Sequence, residues 1–197
     1  MKKLLVVDAC INRKTSRTER LANALVDLLL PLGYQETRII LEEENIGHLD
    51  SKRFSERDGL IRKGDYSHRF FKYAKQLQEA DLVVIAAPYW DFSYPTLLKE
   101  WIEAISAMGI CYNYDERGAS HGLARGEVLF YVTTAGGDIT GLDFGYLEIE
   151  ALCQRIGIKK VVEVLIQNID IVGNDPEKML QEKIASLPEL VKATITL

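Results

Sequence analysis

The stretch Ala86-Ala87-Pro88-Tyr89-Trp90-Asp91-Phe92-Ser93-Tyr94-Pro95-Thr96-Leu97-Leu98-Lys99 gathers aromatic rings where a plain connector needs none. It follows the apolar run Leu82-Val83-Val84-Ile85 and precedes a helical pattern starting at Pro95. Rings at Tyr89, Trp90 and Phe92 suit a flat aromatic ligand at the carboxyl end of a strand, where open α/β sheets place their ligands. A core anchor is the other ordinary role for Trp90.

A second candidate site follows the first apolar run, in Asp8-Ala9-Cys10-Ile11-Asn12-Arg13-Lys14-Thr15-Ser16-Arg17-Thr18-Glu19-Arg20-Leu21. Ser16 or Thr15 is a good N-cap, and Glu19 stands three residues after Ser16, as a capping box requires. A capped helix start also attracts an anion, through free N–H groups and the positive end of the helix dipole. The Ser16 and Thr18 hydroxyls and the Arg13 or Arg17 guanidinium would add bonds to a phosphate. The loop has neither GxGxxG nor GxxxxGK[ST], so it suits a single terminal phosphate such as a mononucleotide carries. A third loop, Thr133-Thr134-Ala135-Gly136-Gly137-Asp138, has paired glycines that permit close backbone approach or serve a plain turn.

These loops need a frame. Strand-like runs fall at Leu4–Val7, about Thr37–Leu41, Leu82–Ala87, Val128–Thr133 and Val161–Ile166. All but the second are continuously apolar, as strands buried on both faces are. Helical patterns lie between and after them, at about Thr18–Leu30, Ser67–Glu79, Pro95–Ala107, Tyr146–Ile156 and Pro176–Val191. Pro188 is expected to break or bend the last. Such alternation predicts a parallel sheet with helices on both faces, in one domain over 1–197. In strand order 2-1-3-4-5, the loops after strands one, three and four share one rim. Glu42–His68 reads as a polar excursion or mobile loop, and Met108–Arg125 as an ordered loop or short hairpin.

Composition narrows the function classes. The chain has 197 residues, 47% of them hydrophobic and 27% charged, as a globular protein has. A net charge of -5 argues against nonspecific nucleic-acid binding. Cys10, Cys111 and Cys153 form no CxxC pair, so neither a disulfide framework nor a zinc site is indicated, and a reducing cytoplasm is expected. His48, His68 and His121 have no metal-ligand spacing. The apolar run after Met1 stops at Asp8, too short for a leader or a membrane span.

These residues, ordered along nearly the whole chain, resemble the flavodoxin-like FMN-dependent NAD(P)H oxidoreductases of the quinone reductase and azoreductase group. Ser16-Arg17-Thr18 resembles that family's phosphate loop, with Cys10 at a position often taken by Ser. Pro88-Tyr89-Trp90-Asp91-Phe92 and Pro95-Thr96-Leu97-Leu98-Lys99 resemble its isoalloxazine loop and following helix. Gly109-Ile110-Cys111-Tyr112-Asn113-Tyr114, then Gly122-Leu123, resembles the insertion lining the substrate side. Thr134-Ala135-Gly136-Gly137 resembles the second flavin loop. The sequence departs at Asp138, where many relatives carry His or Tyr, and at Ala135, where some carry Arg.

The resemblance implies a three-layer α/β sandwich and a homodimer with flavin at the interface. It also implies FMN (with FAD as the alternative), NAD(P)H as donor, and a quinone, azo or similar flat acceptor in ping-pong order. No membrane, nucleic-acid or metal partner is implied, and no side chain need act as obligatory acid or base. Ser16, Arg17 and Thr18 would take the phosphate. Backbone from Tyr89 through Asp91 to Phe92 would meet the ring near N5, and Gly136 and Gly137 the O2 side. Tyr112 and Phe92 would face the acceptor, Tyr112 by reaching a partner subunit's flavin. A carboxylate at Asp138 would oppose negative charge on the reduced ring. Cys10 reads better as a small buried residue than as a redox group. A flavodoxin-like electron carrier without NAD(P)H turnover is the competing function.

Overall fold

The computed structural model describes residues 2–195. Met1, Thr196 and Leu197, the ends of the expected 1–197 domain, lie outside the described residues. In chain order the first elements are β1 (Lys2–Asp8), α1 (Arg17–Leu29), β2 (Tyr34–Ile40), α2 (Ser51–Arg62), α3 (Lys72–Glu79) and β3 (Leu82–Ala86). There follow α4 (Thr96–Ile105), β4 (Tyr112–Tyr114), β5 (Ser120–Gly122), β6 (Val128–Thr134), α5 (Phe144–Ile156), β7 (Lys160–Ile166) and α6 (Pro176–Thr194).

Five strands pair in parallel in the order β2-β1-β3-β6-β7, which is 2-1-3-4-5 counted over the sheet's own strands. Alternation along β1 builds the layers: Leu5 and Val7 join a core beneath α3, α4 and α5, while Leu4 and Val6 join one beneath α1 and α6. Each such side chain contributes about 1.5–3 kcal/mol when fully buried. α1 docks through Leu21, Ala22, Leu25 and Leu29, and its start is fixed by Ser16, whose Oγ accepts from Glu19 N–H at 3.1 Å. Glu19 turns its own carboxylate to Arg13 at 2.6 Å instead of back to the cap, so only half of a capping box forms.

Several expectations change. β7 is an edge strand with alternating burial, because Lys160 and Glu163 interrupt its apolar run. The polar segment Glu42–His68 contains helix α2, capped by Asp50, whose Oδ1 accepts from Arg53 N–H at 2.8 Å. The expected helix from Ser67 is a 3-10 turn, Arg69–Phe71, capped by His68 and followed by α3. Pro188 does not end α6, which runs on to Thr194 with Leu187 and Val191 buried on either side of it. Met108–Arg125 contains the antiparallel hairpin β4–β5, with Tyr112 opposite Gly122.

Because the sheet is parallel, the loops after β1, β3, β6 and β7 all leave from one rim. The hairpin sits at the other rim. Leu123 N–H donates to Cys111 O (2.9 Å), Ala124 N–H to Ile156 O at the end of α5 (3.0 Å), and Arg125 N–H to Gln78 O at the end of α3 (3.1 Å).

Candidate functional site

The loop after β3 makes a two-residue reversal. Trp90 N–H donates to Ser93 O at 3.0 Å and Ser93 N–H to Trp90 O at 2.8 Å. Between them Asp91 (φ 47°) and Phe92 (φ 67°) are both left-handed, the geometry that Asn-Gly usually supplies. A bulky side chain there costs about 1–2 kcal/mol. Neighbouring segments hold the turn: Tyr89 N–H donates to Thr134 O and Phe144 N–H to Phe92 O, each at 3.1 Å. Tyr89 Oη donates to Leu142 O at 3.1 Å. The result presents Trp90 and Phe92 outward, 47% and 55% exposed. Trp90 is therefore no core anchor; Trp101 fills that role on α4. The N–H groups of Asp91 and Phe92 have no protein acceptor among the described residues.

The loop after β1 has free donors but no free arginine near its helix start. The N–H groups of Arg17 and Thr18 open α1 without an acceptor among the described residues. Arg13 points to Glu19 at 2.6 Å and to the buried Asp8 at 3.8 Å, so it braces the loop from within. Arg17 pairs with Asp170 at 3.0 Å, and Arg20 with Glu177 at 2.6 Å. Thr18 Oγ1 lies 2.7 Å from Thr134 Oγ1, tying this loop to the end of β6. Cys10 is buried in the core, its N–H donating to Asp8 Oδ1 at 3.0 Å, and burial with Asp8 nearby pushes its thiol up. Its side chain is thus packing.

The loop after β6 is zipped to the loop after β7. Ala135 N–H donates to Ile166 O (2.8 Å), Asn168 N–H to Gly137 O (3.0 Å) and Asp170 N–H to Gly136 O (3.0 Å). This leaves the Gly136 and Gly137 N–H groups without a protein acceptor among the described residues. A Cβ on Gly136 would stand 2.8 Å from Asp170 Oδ2, whereas Gly137 faces open space. Asp138 is exposed, and its Oδ1 accepts from Thr140 N–H at 2.9 Å. That backbone bond holds its carboxyl below the usual range and uses the carboxylate within its own turn.

Pro88 leads into the aromatic turn, so the sequence-predicted residues of the loops after β1, β3 and β6 meet on one rim. Tyr112 does not join them. It lies at the opposite rim, 8% exposed, under the Arg155 guanidinium at 3.9 Å. The exposed tyrosine of the hairpin is Tyr114, at 48%. Sequence reading missed Asp170 and Asn168, which no local pattern marks; Tyr114 it had placed in the insertion motif without singling it out over Tyr112.

The donor set fits a mononucleotide with a flat ring: a helix N-terminus for phosphate, two further pairs of free N–H groups, and exposed aromatic faces. The sequence as a whole matches the family described as flavodoxin-like fold over residues 2–191. It is 30% identical over 181 residues to an FMN-dependent NADH:quinone oxidoreductase of Clostridium beijerinckii, covering 90% of this chain and 91% of that one. The chain belongs to this flavodoxin-like family. A second relative, the FMN-dependent NADH:quinone oxidoreductase of Clostridium perfringens, is 29% identical over 196 residues, 98% of this chain and 99% of that protein. Among solved structures, the FMN-dependent NADH-azoreductase of Bacillus anthracis in complex with FMN shares the fold. Its TM-score is 0.84 at 19% identity, over 100% of both chains.

Proposed function

We propose that this protein is an FMN-dependent NAD(P)H oxidoreductase that reduces a quinone, azo or similar flat aromatic acceptor by a ping-pong mechanism, working as one domain over 1–197. The observation that carries the reading is the convergence, on one rim, of an anion-ready helix start with a strained turn that presents Trp90 and Phe92. When bound, FMN supplies the chemistry, accepting hydride from NAD(P)H and passing it to the acceptor.

The chain's own residues bind and orient. The N–H groups of Arg17 and Thr18 and the Ser16 hydroxyl hold the phosphate. The free N–H groups of Asp91, Phe92, Gly136 and Gly137 are the donors for the polar edge of the ring. Trp90 and Phe92 wall the ring and keep water from it. Pro88, Tyr89, Thr134 and Ala135 set the loops in place, and Asp138 shapes its own turn.

The same reading makes the protein a cytoplasmic homodimer. Exposed Trp90, Phe92, Leu142 and Phe144 lie at one end of the molecule and exposed Met108 and Tyr114 at the other, and an isologous antiparallel pair would bring the two ends together. In that pair the partner subunit's Tyr114, rather than the buried Tyr112, faces the acceptor. Among the described residues no helix is long and apolar enough to cross a membrane. The test is a visible spectrum with added FMN, followed by anaerobic NADH or NADPH. Bound flavin that bleaches on donor addition is expected; no binding when FMN is supplied overturns the reading.

A further inference from the structure

We propose that Asp170 competes with the flavin phosphate for Arg17, and so sets how tightly this chain holds a phosphorylated flavin over a flavin without phosphate. The inference rests on the FMN reading above. Three observations carry it. Asp170 Oδ1 accepts from Arg17 Nη1 at 3.0 Å, so the guanidinium of the residue that opens α1 is already engaged by a carboxylate. The other arginines of this loop and helix start, Arg13 and Arg20, are held by Glu19 and Glu177, each at 2.6 Å. Asp170 is also placed firmly: Asn168, Ile169 and Asp170 N–H groups donate to Gly137, Ala135 and Gly136 carbonyls at 3.0, 3.2 and 3.0 Å. Its Oδ2 stands 2.8 Å from where a Gly136 Cβ would be. The backbone is thus zipped to the second flavin loop and cannot carry the carboxylate far away.

A phosphate at the start of α1 brings a charge of about −1.5 to −2 next to this fixed carboxylate. It must share Arg17 with Asp170 or take it. Riboflavin presents the same ring and ribityl chain without that charge, so the penalty falls on FMN alone. Asp170 is therefore a specificity-determining residue.

The experiment is a pair of fluorescence titrations, FMN and riboflavin, on the full chain and on Asp170→Asn, at low salt. The substitution keeps the size of the side chain at an exposed position. FMN is expected to bind about fivefold more tightly to the variant, with riboflavin changed less than about twofold. In an Arg17→Gln background the gain from Asp170→Asn is expected to shrink below about twofold. FMN affinity unchanged or weakened by Asp170→Asn overturns the inference, as does an equal shift for both flavins. If neither protein binds either flavin, the flavin reading itself fails, and this inference with it.

Discussion

Where α5 ends and the β4–β5 hairpin begins, left-handed backbone falls on Gly157 (φ 93°) and Gly109 (φ 85°). At the rim that carries the candidate site it also falls on Asn12 (φ 60°), Asp91 (φ 47°), Phe92 (φ 67°) and Asn168 (φ 64°), the four such non-glycine residues among those described. A chain that needs only a turn uses glycine. A chain that needs a turn and a side chain together accepts strain, and such strain clusters where ligands are handled. At the hairpin rim the N–H groups of Leu123, Ala124 and Arg125 are taken by the carbonyls of Cys111, Ile156 and Gln78. The other rim leaves free N–H groups at Arg17, Thr18, Asp91, Phe92, Gly136 and Gly137. One end of the sheet is finished as structure, and the other is finished only by a ligand.

The contrast breaks most visibly at Gly122. A Cβ there would lie 2.0 Å from Gly157 N and from Ile156 C, both backbone atoms that cannot yield without moving the end of α5. Gly122→Ala is expected to cost about 3 kcal/mol or more, read as a drop in the urea midpoint. Because the clash is at the rim away from this chain's own flavin donors, the fraction that stays folded and dimeric should titrate FMN as the parent protein does. A loss of flavin affinity in that fraction would show that the two rims are not independent.

The sequence made the frame legible where burial is uniform. β1, β3 and β6 are apolar runs buried on both faces, and the loops that follow them carried enough hydroxyls, rings and glycines to mark the rim. Helix α2 was invisible because none of its residues is fully buried, so no apolar stripe marks it; Asp50 at its cap was the one local cue. β7 misled because its valines suggest a central strand, while Lys160 and Glu163 reveal an edge only once the neighbours are known. The ion pair of Arg17 with Asp170 joins residues 153 apart in sequence, and no local pattern encodes it. The same holds for Tyr112, whose burial depends on Arg155 folding over its ring.

Polar pairing gives a second way to sharpen the comparison. Behind the aromatic turn, Tyr94 Oη, Tyr131 Oη, Thr133 Oγ1 and Asp143 Oδ2 are buried without a hydrogen-bond partner among the described residues. Glu163, the cross-strand neighbour of Tyr131, joins them. Burial, then the nearby Asp143 carboxylate, push the Glu163 carboxyl up to about 7, with Glu150 adding to the effect and Lys183 opposing it. The native state therefore holds this proton more tightly than the unfolded chain, whose glutamates titrate at about 4.3. Its contribution is fully present below that value and is lost as pH rises through about 7. Discounted for half-exposure, it amounts to about 1–2 kcal/mol. Glu163→Gln should flatten the fall in melting temperature between about pH 5 and pH 8. A variant whose melting temperature falls as steeply as the parent's would remove Glu163 from the account.

The smallest effect tests the lesson most directly. If Phe92 holds a left-handed conformation for the sake of its ring, Phe92→Gly should relieve the backbone while removing what the strain serves. The ring is 55% exposed, so little burial is lost. Relief of the left-handed penalty, about 1–2 kcal/mol, outweighs the added chain entropy of glycine, about 0.5–1 kcal/mol. The net is a gain of up to about 1.5 kcal/mol, seen as a higher urea midpoint. The same variant should bind FMN more weakly or turn over acceptor more slowly, because one wall of the ring is gone. Opposite movements of stability and binding are what a functional strain requires. Loss of both together would instead make Phe92 an ordinary packing residue, and the two rims would differ in sequence but not in purpose.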